Sequence, residues 1–429
     1  MNIHKFLFIA GSKLRNPSLW KHYSDLKSSE RWSLEKLKFL QQSRLLQFLE
    51  HAAINSEYYN LLFRSLGWTP GEKVTMDLFR KIPVLTKSVL LYENEKLHSK
   101  ENSEKLFFCE TSGTSGQVLT FRRNESWDSF NRATIMRGYS WHGAKPWDFN
   151  LYFWGYNLSF AKKLKLRILD FLVNRYRMFD YSKKTMKNLV NKIGKAVYIE
   201  GYSSMIYELA CISEGKPINT SNLKMIKGTS EKIYPHYREK TKAVFGKNMI
   251  SEYGAAETGI IAFECVEGNM HINLEGVYVE TNSENEIIVT NFHSYSFPVI
   301  RYMLGDVVQM KDQIGICKCG VAHPVIEEVT GRVGKLIYGK KHQYPSLTFY
   351  YIFKNLYFEK NLHLNYQAHQ NQIGQREIRI KEQINKEVEQ LIYAECRKYF
   401  GEDILVNLIQ SSDFRTPGGK LRDFITTIN

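Results

Sequence analysis

The sequence predicts an α/β fold: a large N-terminal domain of mixed or parallel sheets flanked by helices, followed by a small α+β lobe. Three observations carry this: a helical opening, an alternation of glycine-terminated apolar runs with helices, and a change of pattern after Gly331-Arg332. In the opening, residues 31–66 set Leu34, Leu37, Leu40, Leu45, Phe48 and Leu49 at near-helical spacing. From Phe149 onwards, apolar runs close on glycine: Phe149–Trp154 on Gly155, Val197–Glu200 on Gly201, Met225–Lys227 on Gly228 and Met249–Tyr253 on Gly254. Ser203 and Ser230 then read as N-caps of helices that run to Gly215 and Gly246. Strands alternating with helices predict a largely parallel sheet, whose ligands sit at the carboxyl ends of its strands. Beyond 332, Leu362, Leu364, Tyr366 and Ala368 alternate, as do Ile378 and Ile380; Ile384, Val388, Leu391, Ile392 and Cys396 keep helical spacing, and Ile404–Ile409 reads as a strand. The domains are therefore 1–332 and 333–429, the second being a mobile lobe of 97 residues (429 − 332).

Composition narrows the class. With 43% hydrophobic and 14% aromatic residues among 429, the chain is too apolar for disorder and too interrupted by charge for a membrane-embedded protein. The first apolar run, Phe6–Ala10, is shorter than a signal-peptide core of about 7 to 15 residues, so the cytoplasm is the expected location. Six cysteines are too few for a disulfide scaffold. No repeat is visible. The charge, 59 − 44 = +15, suits nucleic acid, a membrane surface or an anionic substrate.

Thr111-Ser112-Gly113-Thr114-Ser115-Gly116 combines two glycines with four hydroxyls, a composition that suits either a loop wrapping phosphates or a flexible linker. It is not a Walker A loop, because no Gly-Lys-Ser/Thr follows. Ser251-Glu252-Tyr253-Gly254-Ala255-Ala256-Glu257-Thr258-Gly259 puts an aromatic, a tight turn and a carboxylate at a strand end, and Phe297-Pro298-Val299-Ile300-Arg301-Tyr302-Met303-Leu304-Gly305-Asp306 ends with an aspartate behind a glycine. Thr416-Pro417-Gly418-Gly419-Lys420-Leu421-Arg422 displays a lysine on a glycine-rich turn. Singly, Glu257 also reads as a helix N-terminal carboxylate, and Asp306 and Gly419-Lys420 as ordinary turns.

Together with Gly228-Thr229-Ser230-Glu231 and Gly331-Arg332, and in this order over roughly residues 30–425, these segments resemble the adenylate-forming superfamily of acyl-CoA synthetases and adenylation domains. Within it they are most similar to the phenylacetate-CoA ligase-like family, which includes members found in capsular polysaccharide biosynthesis. The resemblance implies that Thr111–Gly116 cradle the β- and γ-phosphates of ATP, that Gly228, Thr229, Ser230 and Tyr253 with Gly254 hold the adenine, and that Glu257 binds Mg²⁺. It implies that Asp306 binds the ribose, with Arg332 supporting it, and that Lys420 meets the carboxylate and α-phosphate during adenylation. Attack of a carboxylate on a phosphate brings two anions together, which is why the chemistry needs a cation and a metal. Two departures stand out: Val118 where relatives often have proline, and Gly334-Lys335 where an acidic pair often marks the hinge.

The acyl pocket is expected beside the adenine, around Tyr156-Asn157-Leu158, Tyr202, Ser204, Ala255 and Ala256, a lining equally compatible with core packing. Cys265, His271, Cys317 and Cys319 form a candidate zinc set, with His323 as an alternative fourth ligand; relatives with a similar pattern support it, and chance spacing competes with it. Cys109, Cys211 and Cys396 read as core residues. Residues 161–195 hold eleven Lys/Arg against Asp170 and Asp180, a local 11 − 2 = +9. This segment reads as a solvated helix face, a docking surface for anionic lipid or a phosphorylated carrier, or a nucleic-acid site, although no nucleic-acid motif accompanies it.

The leading functional expectation is ATP-dependent activation of a small carboxylic acid through an acyl-adenylate, with pyrophosphate released and the acyl group passed to CoA. Transfer to an amine or hydroxyl of a sugar in surface polysaccharide biosynthesis is the alternative acceptor chemistry. A non-catalytic binding protein on the same fold is the alternative from another class. The expected cofactors are ATP and Mg²⁺, with CoA and a structural Zn²⁺ as further candidates. Peripheral contact with the inner membrane face is the expected extension of the cytoplasmic location.

Overall fold

A computed structural model of the chain describes residues 2–100, 104–111, 119–153, 160–179, 183–230, 233, 235–311, 315–332, 337–344, 347–360, 362, 364, 366–380, 382–411, 424–426 and 428. The chain divides into two compact units, one of Met1–Cys109 with Thr120–Thr330 and one of Glu110–Leu119 with Gly331–Asn429.

The first unit opens on helices α1 (Ile3–Arg15), α2 (Leu19–Ser29), α3 (Leu34–Asn55), α4 (Glu57–Ser65), α5 (Met76–Lys81), α6 (Lys87–Tyr92) and α7 (Asn94–Leu97). The helical opening expected across 31–66 is α3 and α4, broken at Ser56, whose hydroxyl accepts the Tyr59 N–H at 3.4 Å and starts the next helix. Leu37, Leu45, Phe48, Leu49 and Ala52 form the buried stripe of α3. Strands β1 (Leu106–Glu110) and β2 (Thr120–Asn124) then lead into α8 (Glu125–Trp141), most of which is buried.

Next come β3 (Asn150–Phe153), α9 (Phe160–Leu172), β4 (Arg175–Arg177), α10 (Lys183–Ile193), β5 (Tyr198–Tyr202), α11 (Ser203–Ser213), β6 (Met225–Thr229), α12 (Pro235–Phe245) and β7 (Met249–Ala255). They are followed by β8 (Gly259–Glu264), β9 (Met270–Ile272), β10 (Val277–Thr281), β11 (Glu286–Asn291), β12 (Val299–Met310) and β13 (Val325–Arg332). The eleven-stranded sheet has the order β10-β11-β12-β13-β9-β8-β7-β6-β5-β3-β4. From β4 to β7 its neighbours are parallel, as the strand–helix alternation predicts. From β7 onwards the pairings of β8, β9, β10 and β11 are antiparallel, so the sheet is mixed rather than largely parallel. Leu151, Ile199, Ile226 and Met249 from the parallel half pack against Met186, Leu189, Ile206 and Leu209 of the crossover helices.

Two helix starts differ from the sequence reading. The residue preceding α11 is Tyr202, and Ser203 is already inside the helix, fully buried. α12 begins at Pro235, a residue preorganised for the first helical position, whereas Ser230 lies five residues earlier at φ 66, in the left-handed region.

The second unit holds β14 (Ile337–Tyr338), β15 (Gln343–Tyr344), α13 (Leu347–Lys360), β16 (Tyr366–Gln372), β17 (Gln375–Ile380), α14 (Lys386–Phe400), β18 (Leu405–Gln410) and β19 (Phe424–Thr426). Its four-stranded sheet runs β18-β17-β16-β19, with an antiparallel β16–β17 hairpin and parallel outer pairings. Asn385 caps α14 by accepting the Val388 N–H at 2.9 Å, and Gly401 at φ 56 ends it. Ile352, Ile378, Ile380, Ile392, Cys396 and Phe400 make the core of this unit. Cys396 is therefore a core residue, while Cys109 and Cys211 are only half-buried.

Candidate functional site

The carboxyl ends of β5, β6 and β7 lie side by side, with Gly201 opposite Gly228, Tyr202 opposite Thr229, and Gly228 opposite Ser251. Glycine is required there by close approach. A Cβ on Gly201, at φ 138, would stand 2.3 Å from the Phe153 carbonyl oxygen, and one on Gly228 would stand 2.4 Å from the Ser203 hydroxyl.

At the end of β7 the chain turns through Ala256, Glu257 and Thr258 into β8, with Ala255 paired to Gly259. Arg123 donates to the Ala256 carbonyl at 2.8 Å and fixes the turn. The Tyr253 hydroxyl donates to Asp306 at 2.9 Å, so the aromatic ring at the strand end is tied to the carboxylate that β12 presents. The Tyr302 hydroxyl, also on β12, donates to Glu257 at 3.4 Å. Gly305, at φ 80, allows β12 to bend just before Asp306. Arg301 adopts φ 49 while its guanidinium meets both Glu280 oxygens at 3.1 Å.

The structure thus brings Tyr253, Gly254, Ala255, Ala256, Glu257 and Asp306 together, beside the strand ends that carry Gly228, Thr229, Ser230 and Tyr202. Thr111 belongs to the second unit, where its N–H donates to the Leu119 carbonyl at 2.9 Å and its hydroxyl accepts the Leu119 N–H at 3.0 Å. These two bonds join Thr111 and Leu119, the described residues on either side of 112–118. Ser112, Gly113, Thr114, Ser115, Gly116, Tyr156–Leu158, Glu231, Gly334-Lys335 and Lys420 lie outside the described residues, as do the side chains of Ser204 and Arg332.

Beneath the strand ends lies a charge network that the motif reading did not include. Lys227 on β6 bridges Glu200 on β5 at 3.2 Å and Glu252 on β7 at 2.8 Å, and Arg175 on β4 reaches Glu200 at 3.0 Å. Tyr139 of α8 also donates to Glu200. Burial alone would raise Glu200, but Lys227 and Arg175 outweigh it and hold the carboxyl below its ordinary value. Burial likewise opposes a charged Lys227, and Glu252 and Glu200 reverse that, so its ammonium titrates above the usual range. The network is an internally paired brace that draws on four strands of the parallel half, β4, β5, β6 and β7. Its sequence signal was a charge inside each apolar run, since buried parallel strands otherwise read as continuously apolar.

Farther along the same unit, Cys265, His271, Cys317 and Cys319 converge, with all four ligand atoms within 4.8 Å of one another. The Cys265 and Cys317 sulfurs are 4.0 Å apart, and the Cys319 sulfur is 3.3 Å from His271 Nε2. A tetrahedron with zinc–sulfur bonds of about 2.3 Å has sulfur–sulfur edges near 3.8 Å, close to the Cys265–Cys317 separation of 4.0 Å. His271 Nδ1 sits 3.1 Å from the His323 carbonyl, so Nε2 is the nitrogen aimed at the cluster. Burial lowers His271 to about 4, leaving the imidazole neutral and able to ligate. His323 is not the fourth ligand: its Nδ1 is 2.8 Å from the Ile272 carbonyl and its Nε2 faces Glu275 at 3.6 Å.

The fold is similar to that of solved acyl-CoA ligases. A 2-hydroxyisobutyryl-CoA ligase in the postadenylation state, in complex with an acyl-AMP, superposes with a TM-score of 0.59 at 16% identity over 92% of this chain and 91% of that one. The same ligase with 2-HIB-AMP and CoA in the thioesterification state gives 0.60 at 17% identity over the same shares. In sequence, the chain is 23% identical over 289 residues to protein CapK of Staphylococcus aureus, a match covering 65% of this chain and 64% of that protein, just under two thirds of its length. No family model matches the chain.

Proposed function

We propose that this chain is an ATP-dependent, AMP-forming carboxylate ligase of the phenylacetate-CoA ligase-like type. The observation that carries the reading is the hydrogen bond between Tyr253 and Asp306, made at the sheet edge where an α/β fold binds nucleotides and beside the Glu257 turn. In this reading, Tyr253, Gly254 and Gly228–Ser230 flank the adenine, Asp306 accepts from the ribose hydroxyls with Arg332 nearby, and Thr111–Gly116 hold the β- and γ-phosphates. A carboxylate oxygen of the acid attacks the α-phosphorus, the bond to the β-phosphate breaks, and pyrophosphate leaves. Lys420 supplies the positive charge that this encounter of anions needs.

The residues present fit a magnesium ion. Glu257 offers a hard oxygen donor, and Thr258 Oγ1 beside it is buried with no hydrogen-bond partner among the described residues. When bound, Mg²⁺ neutralises charge on the phosphates. The acid lies against Tyr202, Ser204, Ala255 and Ala256, where small side chains leave room. In the second half-reaction an acceptor attacks the acyl carbon and AMP departs. CoA thiol is the first acceptor to test, because the ligase of the same fold holds CoA, and an amino or hydroxyl sugar is the second.

The cysteine cluster, Cys265, His271, Cys317 and Cys319, is read as a structural zinc site that is dispensable to the acyl chemistry itself. Acid-dependent exchange of pyrophosphate into ATP tests the ligase reading, and CoA against an amino sugar as the added acceptor separates the two transfers. Folded protein that binds ATP yet exchanges with no acid, whether aliphatic, aromatic or amino, would refute it.

A further inference from the structure

Two helices of the first unit expose the wrong residues for a water-facing surface. On α1, Phe8 faces inward, its ring 6.4 Å from Trp20 and 5.7 Å from Trp147, yet the opposite face shows Ile3, Phe6 and Leu14, exposed by 63%, 57% and 84%. On α9, Asp170 faces inward and is held by both guanidinium nitrogens of Arg177 at 2.8 and 3.0 Å, while Leu164, Ile168 and Phe171 point out at 52%, 58% and 69%. At helical spacing, each trio forms a stripe opposite the packed face. The His4 and Phe171 rings meet edge-on at 5.8 Å, so the stripes adjoin.

The two helices themselves carry mostly positive charge, although Arg15 also faces Asp128 of α8 at 3.9 Å. Between Ile3 and Arg15, α1 contains Lys5, Lys13 and Arg15 and no Asp or Glu; α9 contributes Lys163, Lys165 and Arg167, and its single acid is the Asp170 that Arg177 engages. Exposed apolar stripes of this width on a monomer mark an interaction surface. The excess of Lys5, Lys13, Lys163, Lys165 and Arg167 over exposed acids on these helices selects an anionic partner and opposes a second copy of the same patch. The apolar stripes also distinguish it from a site for phosphate backbones, which calls for polar contacts throughout. Among the described residues no helix is long and apolar enough to cross a membrane. The geometry points to a peripheral docking surface on which α1 and α9 lie in the interface of an anionic lipid bilayer, with the apolar stripes among the acyl chains and the lysines at headgroup level.

Sedimentation of the purified full chain with vesicles tests this, using phosphatidylcholine alone and an equal mixture of phosphatidylcholine and phosphatidylglycerol. Binding is expected to the mixed vesicles only and to weaken as salt rises. Both Phe6→Ser/Ile168→Ser and Lys165→Glu/Arg167→Glu should lower partitioning by about tenfold or more, while Lys165→Arg/Arg167→Lys retains it. All these side chains are exposed, so thermal unfolding should be unchanged. The proposal is overturned if the folded wild type ignores the mixed vesicles at low salt, or if the variants partition as it does. It is equally overturned if the same substitutions abolish self-association or DNA binding in a chain that never binds vesicles.

Discussion

Tyr253 and Asp306 are separated by 53 positions in sequence and joined by a 2.9 Å hydrogen bond in space. Tyr253→Phe keeps the ring and loses the donor, so KM for ATP in the exchange reaction should rise roughly 3- to 10-fold with kcat little changed, the scale of one neutral hydrogen bond. In the proposed reading, Asp306→Ala also removes the acceptor for the ribose, and kcat/KM for ATP should fall roughly 10- to 100-fold or more. Equal kinetics in wild type and Asp306→Ala would remove the ribose role. At the cysteine cluster, Cys319→Ser should lower zinc content measured by mass spectrometry and reduce stability by on the order of several kcal/mol in urea unfolding; metal-free wild type with unaltered unfolding would dismiss the site. These residues were legible because their chemistry is local in sequence: a Tyr-Gly-Ala-Ala-Glu run or a Cys-x-Cys turn announces itself. Tyr302 and Arg123 were not, since a tyrosine inside an apolar strand or an arginine on β2 becomes informative only when the fold brings it to Glu257 or to the Ala256 carbonyl.

Among the elements, β6 shows how much of the site depends on what lies under it. Lys227→Met leaves Glu200 and Glu252 facing each other in a buried sheet, and the expected loss is about 3 to 5 kcal/mol in denaturant unfolding, partly recovered when Glu252→Gln is added. A loss below about 1 kcal/mol would mean that water already screens the network. The parallel strands were readable because each is a short apolar run stopped by glycine. The antiparallel half was not, because β8, β9 and β11 are buried on both faces and so lose the alternation that marks a half-exposed strand. Ser230 misled in the same way: Ser before a charged stretch looks like a cap, but its left-handed backbone and Pro235 set the helix start five residues later.

For the whole molecule, the +15 charge resolves into parts with different work. Arg175 and Arg177 of the basic segment are inside, on Glu200 and Asp170, whereas Lys165, Arg167 and the apolar residues Leu164, Ile168 and Phe171 of α9 are exposed. Acid stability follows from another buried pair. Burial alone would raise Glu275, but Arg137 at 2.7 Å, His323 and the Ser29 hydroxyl outweigh it and hold the carboxyl at about 2, against an ordinary 4.5. Because the folded value is depressed, its contribution is complete above about pH 4.5 and is lost as pH falls through about 2. That contribution is on the order of 3 kcal/mol, and Glu275→Gln should flatten the stability–pH curve over this window; an unchanged curve would count against the pairing. The central claim, that the chain makes acyl-adenylates, is tested most directly by exchange of labelled pyrophosphate into ATP across a panel of carboxylic acids. The account predicts exchange that depends on one class of acid and falls by orders of magnitude in Lys420→Ala with the fold intact. Exchange with no acid from folded, ATP-binding protein, or exchange unaltered in Lys420→Ala, would contradict it.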